Sequence, residues 1–167
     1  MNSRIRFSVR QLTRIAMLLA LTLSVQLLRL PAPVTGPLVN AMLILSTAVA
    51  GTAGGVGIGL LTPWVALLLG IIAPVLAPAI PFIMAGNALY CSCYGALAEK
   101  IKGGSWIGMI LGAVLKFALI GGAAHYLLAL PPPAAGALLL PQLLNALIGG
   151  AAALPLAQYL RRLLHQS

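Results

Sequence analysis

The feature that most constrains this chain is the length of its apolar runs without charged residues. No Asp, Glu, Lys or Arg occurs between residues 30 and 98, and the 167-residue chain is 61% hydrophobic and only 7% charged. Soluble domains usually carry about 25% charged residues, whereas uncharged apolar segments of about 20 residues are typical of membrane-spanning helices. The sequence therefore predicts an all-α integral membrane protein embedded in a lipid bilayer.

Proline and glycine divide the apolar sequence into segments. Three proline-rich stretches, residues 31–37, 74–81 and 131–141, hold most of the twelve prolines. A glycine-rich break at 51–55 and a charged break at 99–104 complete the division. Because these residues disfavour the continuation of a helix, the breaks predict one domain, 1–167, with a bundle of six spans at about 10–30, 37–52, 55–73, 79–98, 105–129 and 137–160.

Basic residues lie at the ends of the predicted spans. With six spans, all ten cations except Arg29 and Lys116 fall on one side of the membrane. The positive-inside rule assigns that side to the cytoplasm. We therefore expect a multi-pass protein of the plasma membrane with both termini cytoplasmic and the proline-rich connections facing outward. The residues of the inner side are Arg4, Arg6, Arg10, Arg14, Lys100, Lys102, Arg161 and Arg162.

Polar residues recur at helical spacing within four of the predicted spans. At about 100° per residue they fall on one face of each helix, and polar faces in a membrane turn toward the bundle interior. Most lie in the outer part of their helices, which predicts a polar cavity open to the outside. The alternative is hydrogen bonding between helices, at about 0.6 kcal/mol per contact. The residues predicted to bind substrate are Arg29, Asn40, Asn87, Tyr90, Lys116, Gln142 and Asn145.

Lys116 is the most unusual of these residues because it lies about midway along the fifth predicted span. A lysine at this depth costs roughly 2.5–3.5 kcal/mol on insertion scales. The only acid of the chain, Glu99, lies at the inner end of the fourth span. The expected partners of Lys116 are carbonyl groups, water or an anionic ligand, and the alternative is snorkelling toward the cytoplasm. With Arg29, it favours a ligand that carries a carboxylate or a phosphate.

Several function classes lack support in the sequence. No nucleotide-binding, protease or hydrolase motif occurs, so we expect neither catalysis nor a cofactor, and no metal site. A carrier that couples to protons or sodium through intramembrane carboxylates is disfavoured for want of such carboxylates. The basic residues form no stripe with interleaved aromatics, which argues against nucleic-acid binding.

Six short spans with a basic amino-terminal segment and an outward polar cavity resemble the substrate-binding S components of energy-coupling factor (ECF) transporters. The segments "GPLVNAMLI" (36–44) and "IPFIMAGNALY" (80–90) are similar to S components without an assigned substrate. The resemblance covers nearly the whole chain. It implies a high-affinity binding subunit for a vitamin-like micronutrient, with a transmembrane T component and two ATPase subunits as partners and with outer loops that cover the ligand.

One motif of that family can be placed residue by residue. S components typically dock the T component through an AxxxA pattern on the first helix, and "AMLLA" here places Ala16 and Ala20 one turn apart in the first span. Their face lies roughly 130° from the polar face of the same helix, so one side is expected to dock a partner while another lines the cavity. The same spacing recurs at Ala73 and Ala77 and at Ala153 and Ala157.

Two rival functions stay open at the level of sequence. One is a solitary small-solute carrier or channel that acts without an ATPase module. The other is a structural membrane subunit that binds no ligand. Stabilisation by a ligand would exclude the structural subunit, and dependence of uptake on ATPases would separate the transporter component from the solitary carrier.

Overall fold

The structure is a computed structural model that describes residues 9–166, so Arg4 and Arg6 lie outside the described residues. Within this range the chain is helical and contains no β-strand. The prediction of an all-α protein is therefore confirmed. The elements are α1 (Val9–Leu27), α2 (Ala32–Leu68), a 3-10 helix (Pro74–Ala79), α3 (Ile80–Leu97), α4 (Gly104–Tyr126), α5 (Pro132–Ala137) and α6 (Leu140–Gln166).

Four helical segments of the described chain are long and apolar enough to cross a membrane. The first turns of α1 carry Arg10 and Arg14, and α1 is not among the four. Together with α1, residues 9–166 contain five long helices rather than the six predicted spans. The count differs because the second and third predicted spans both belong to α2. The four segments are Ala32–Leu68, Pro74–Leu97, Gly104–Tyr126 and Pro132–Leu164.

In the structure, the predicted break at 51–55 is confined to one residue. Only Gly51 leaves helical geometry inside α2, with φ 78° and ψ 170°, a conformation open to almost no residue but glycine. The chain reverses at this point. In a straight helix, residues eight positions apart are separated by about 12 Å, but here Gly55 lies so close to Thr47 that a Cβ on Gly55 would collide with the threonine side chain. We call the two halves of this hairpin the first arm (32–50) and the second arm (52–68).

Hydrogen bonds from α3 confirm the reversal. Asn87 Nδ2 lies 3.1 Å from the carbonyl oxygen of Gly59 in the second arm, and Cys91 Sγ lies 3.9 Å from that of Leu43 in the first arm. The two donors are one helical turn apart on α3, whereas the acceptors are 16 positions apart along α2. One turn of α3 reaches both acceptors only if the two arms run side by side.

The hairpin α2 forms the centre of the bundle. It packs against α1, α3 and α6, while α4 packs against α3 and α6. Glycines allow close contact between these helices. A Cβ on Gly112 of α4 would lie 3.0 Å from Tyr90 Cα, and one on Gly149 of α6 would overlap the Pro37 carbonyl. By contrast α1 is peripheral, and among its side chains only Thr22 and Gln26 are buried.

Prolines end fewer helices than the sequence pattern predicts. The first arm begins at Ala32, so Pro33 and Pro37 lie within it, and Pro63 and Pro155 lie inside helices as well. The first turn of a helix leaves its N–H groups unpaired, which is why proline is tolerated there. Deeper in a helix, proline leaves the carbonyl four residues earlier without its usual donor.

The two ends of the bundle differ in composition. At one end, residues from all three proline-rich connections line a common cavity. At the other end, the reversal at Gly51 lies near Ile15 of α1. A Cβ built on Gly54, just after the reversal, would lie 3.2 Å from Ile15 Cγ1. At this second end Arg161 Nε also lies 3.3 Å from Glu99 Oε1. The cationic ends of α1, α4 and α6 therefore lie away from the cavity.

Candidate functional site

A cavity of about 820 Å³ lies between the proline-rich connections and the helix ends that they join. Its wall includes residues from α1, both arms of α2, α3, α4 and α6. Pockets for small ligands usually measure about 300–1,000 Å³ and combine an apolar wall with a few polar groups. All the residues predicted to bind substrate except Tyr90 line this cavity, and they are Arg29, Asn40, Asn87, Lys116, Gln142 and Asn145.

Three further polar side chains in the wall were absent from the predicted set, and they are Gln26, Thr35 and Thr62. Gln26 lies on the polar face of the first predicted span, as does Arg29, so the helical spacing contained the signal for it. Thr35 lies in the first turn of the first arm, and its hydroxyl donates to the Leu30 carbonyl at 2.8 Å. Thr62 lies on the second arm, and its hydroxyl donates to the Ile58 carbonyl at 2.6 Å. A threonine bonded within its own helix carries no recognisable sequence signal.

Lys116 turns toward the cavity and is almost completely buried, at 3% exposure. Its Nζ donates to Asn40 Oδ1 at 2.7 Å. The amide of Asn40 is held in turn, because Nδ2 donates to the Gly36 carbonyl at 2.8 Å. This arrangement presents Oδ1 to the ammonium, so a neutral oxygen serves where a carboxylate would be the usual partner of a buried cation.

Tyr90 lies behind the cavity wall and not in it. Its side chain is fully buried, and its hydroxyl donates to the Ala146 carbonyl of α6 at 2.7 Å. Lys116 Nζ lies 5.6 Å from the centre of the Tyr90 ring, within the range of a cation–π contact. The structure therefore places Tyr90 outside the described cavity wall, where its ring lies beside Lys116 and its hydroxyl joins α3 to α6.

Asn87 fills a gap that Pro63 leaves in the second arm. Because proline has no N–H, the carbonyl of Gly59, four residues earlier, lacks its helical donor. Asn87 Nδ2 donates to this carbonyl at 3.1 Å. The side-chain nitrogen of Asn87 therefore makes a hydrogen bond between helices, which was the alternative to substrate binding. The residue also lines the cavity. Asn87 therefore has a structural bond on one side and borders the cavity on the other.

Arg29 lies at the rim of the cavity in an unusual backbone conformation. It follows the end of α1 with φ 49°, the only positive φ of a residue other than glycine within residues 9–166. Helices commonly end with a left-handed residue, but that residue is usually glycine because a Cβ is disfavoured there. Residues in such conformations cluster at ligand-binding and active sites, and Arg29 is an exposed residue that lines the cavity.

Gln142 and Asn145 come from the first turns of α6. They lie one turn apart on the same face, and both are half-buried. Asn145 packs directly on the first arm, because a Cβ on Gly36 would collide with its amide group. This glycine thus makes room for a carboxamide at the cavity wall.

The wall has a consistent chemical character. Two cations, Arg29 and Lys116, face the cavity without an acid, since Glu99 lies at the opposite end of the bundle. Carboxamides supply most of the other polar groups. None of the wall residues within 9–166 is aromatic. The apolar part is aliphatic and includes Val39, Ile71, Ile72, Leu76, Ile83, Leu138, Leu144 and Ile148.

The predicted docking residues Ala16 and Ala20 lie on the exposed side of α1. Ser24 extends this row of small residues by one turn and is exposed too. The other sequence matches differ: Ala153 and Ala157 are buried within the bundle, and the pair at positions 73 and 77 lies in the connection before α3. Among the three matches, the exposed helical one is that on α1.

A comparison with protein-family models finds no match, and comparisons with curated proteins and with solved structures find none either.

Proposed function

We propose that this protein is the membrane-embedded binding subunit of an ECF-type transporter, which captures a small vitamin-like solute for uptake driven by ATP. The observation that supports the proposal most directly is the cavity of about 820 Å³. Its wall gathers six predicted polar residues, five of them on four helices and the sixth, Arg29, just after the end of α1. A protein that served only as a structural subunit would have no need of a cation such as Lys116 buried on this wall, because its burial is costly.

The proposal includes six membrane crossings with both termini in the cytoplasm. The arms of α2 contain about 19 and 17 residues, roughly 28 and 25 Å at 1.5 Å per residue. These lengths approach the 30 Å hydrocarbon core. With α1 as a further crossing, the cationic ends of α1, α4 and α6 face the cytoplasm, and the cavity faces outward.

In this scheme the solute enters the cavity from outside and the three proline-rich connections close over it. The T component, driven by two ATPase subunits, then reorients the loaded protein in the membrane so that the solute is released inward. The exposed row at Ala16, Ala20 and Ser24 is the proposed docking face, because small residues allow another helix to approach closely.

Replacement of Ala16 and Ala20 by leucine is expected to abolish capture of the energising module. The experiment is a pull-down of tagged protein from its native membrane, followed by mass spectrometry of the bound proteins. Wild type should recover a T component with two ATPases. The double variant should recover neither, because bulky side chains close the groove, while its melting temperature stays near wild type since both positions are exposed.

Ala118→Leu is the matched control, because Ala118 is exposed on α4, away from the docking face. This variant should retain the module. Recovery of the protein alone, in detergents that preserve such assemblies, would contradict the transporter proposal and favour a solitary carrier. Equal recovery by the wild type and the double variant would place the docking face elsewhere.

A further inference from the structure

We infer that the ligand of this cavity is a non-aromatic anion, whose carboxylate or phosphate binds the ammonium of Lys116 and whose body lies along an aliphatic wall. The inference rests on the proposed binding function and narrows its substrate class. It follows from three observations: the charge of the wall, the coordination of Lys116 and the absence of aromatic side chains from the described wall.

The charge of the wall requires a negative partner. Lys116 is 3% exposed and Arg29 lies at the rim, and no acid among the described residues lines the cavity. The one carboxylate of the sequence, Glu99, is engaged by Arg161 at the opposite end of the bundle. A buried charge without a counter-charge is unfavourable. An anion in the cavity would supply the missing charge, and a neutral or cationic solute would leave it uncompensated.

The coordination of Lys116 leaves capacity for that anion. An ammonium has three donors, and Asn40 Oδ1 accepts one at 2.7 Å. The Tyr90 ring covers another side of the ammonium at 5.6 Å. Asn40 stays fixed by its bond to the Gly36 carbonyl, so it can hold Lys116 in place while a carboxylate or phosphate oxygen accepts a second hydrogen bond.

The apolar wall indicates what kind of body the anion has. Flat heteroaromatic ligands are commonly held by stacking on aromatic side chains, and the described wall offers none. Tyr90, the one aromatic expected there, is turned toward Ala146. Branched aliphatic side chains such as Ile71, Ile72 and Ile83 form the surface instead. They suit a flexible or saturated body, and the carboxamides of Gln142 and Asn145 can bind its polar substituents.

The test measures thermal melting of the purified full chain in detergent while three small probes are titrated. Hexanoate is an aliphatic anion, hexanamide is its uncharged counterpart and benzoate is an aromatic anion of similar size. We expect hexanoate to raise the melting temperature, and to do so at concentrations about tenfold lower than either other probe. Lys116→Met should raise the hexanoate concentration for half-maximal effect by about ten- to hundredfold, the range expected for a charged hydrogen bond.

Asn40→Asp provides a second variant of nearly identical shape. It places a carboxylate against Lys116, so the protein neutralises the ammonium internally and hexanoate should lose its effect. Lys116→Met should fold, because replacing a buried charge by an apolar side chain of similar size is often neutral or stabilising.

The possible outcomes separate the inference from the function on which it rests. If benzoate or hexanamide stabilises the protein as well as hexanoate does, or if both variants keep the hexanoate effect, the inference fails and the binding function stands. If none of the three probes changes the melting temperature, the inference fails and the binding function loses support as well.

Discussion

Asn87→Leu is expected to destabilise the protein by about 1–3 kcal/mol, the usual penalty for a buried polar group left without a partner. The group at risk is the Gly59 carbonyl, which has no helical donor because residue 63 is proline, and which accepts from Asn87 at 3.1 Å. Combining Asn87→Leu with Pro63→Ala restores an N–H at the position that serves this carbonyl. The double variant should therefore regain most of the lost stability, measured as melting temperature in detergent.

The same pair of variants separates the two roles of Asn87. If Asn87 also contacts the ligand, the double variant should be stable and still bind the ligand more weakly than wild type does. Pro63→Ala alone is the control, and it should change neither property greatly. If the double variant is as unstable as Asn87→Leu alone, Asn87 does not compensate for the N–H that Pro63 lacks. Full binding by the stable double variant would leave Asn87 a structural residue alone.

Gly149→Ala is expected to be among the most destabilising single substitutions in the bundle. A Cβ at this position would overlap the carbonyl of Pro37 and approach the backbone nitrogen of Ala41 to 3.0 Å. Since backbone atoms of the first arm cannot rotate away, α6 must shift outward, and overpacking of this kind costs about 1–3 kcal/mol or more. Because Asn145 lies one turn earlier on α6, the shift should also disturb the cavity wall.

Gly57→Ala is the matched control for this substitution. Gly57 is helical too, but a Cβ there would meet no atom within 4 Å, and alanine is the better helix former by about 1 kcal/mol. We therefore expect Gly57→Ala to melt at or above the temperature of wild type. A Gly149→Ala variant as stable as Gly57→Ala would show that α6 does not rest on the first arm as described.

The apolar runs predicted the helical class and the segment limits with useful accuracy, because helix length and hydropathy are local properties. The predicted fourth segment, 79–98, nearly coincides with α3 (Ile80–Leu97). The predicted break at 51–55 contains the reversal, but most of that stretch is helical. A glycine-rich stretch can stay helical when neighbouring helices pack on it, and the whole reversal is concentrated in the φ and ψ angles of Gly51.

Most polar residues of the cavity were predictable from the sequence, since polar faces turn inward in a membrane, but Thr35 and Thr62 were not. What spacing does not contain is the partner of each polar atom. The bond from Asn87 to Gly59 depends on a proline in another helix, and the position of Tyr90 depends on a carbonyl of α6. Both partners are distant in sequence, and only the packed structure assigns them.

Binding of a ligand in the cavity can be measured directly by asking whether the purified protein selects a solute. Wild type and Lys116→Met are incubated with a small-molecule extract of the source cells, re-isolated, and analysed by mass spectrometry for retained compounds. We expect wild type to retain one small anionic, non-aromatic compound at about one molecule per chain, and Lys116→Met to retain none. Retention of no compound above the level of the variant would contradict the proposal that this cavity binds a ligand.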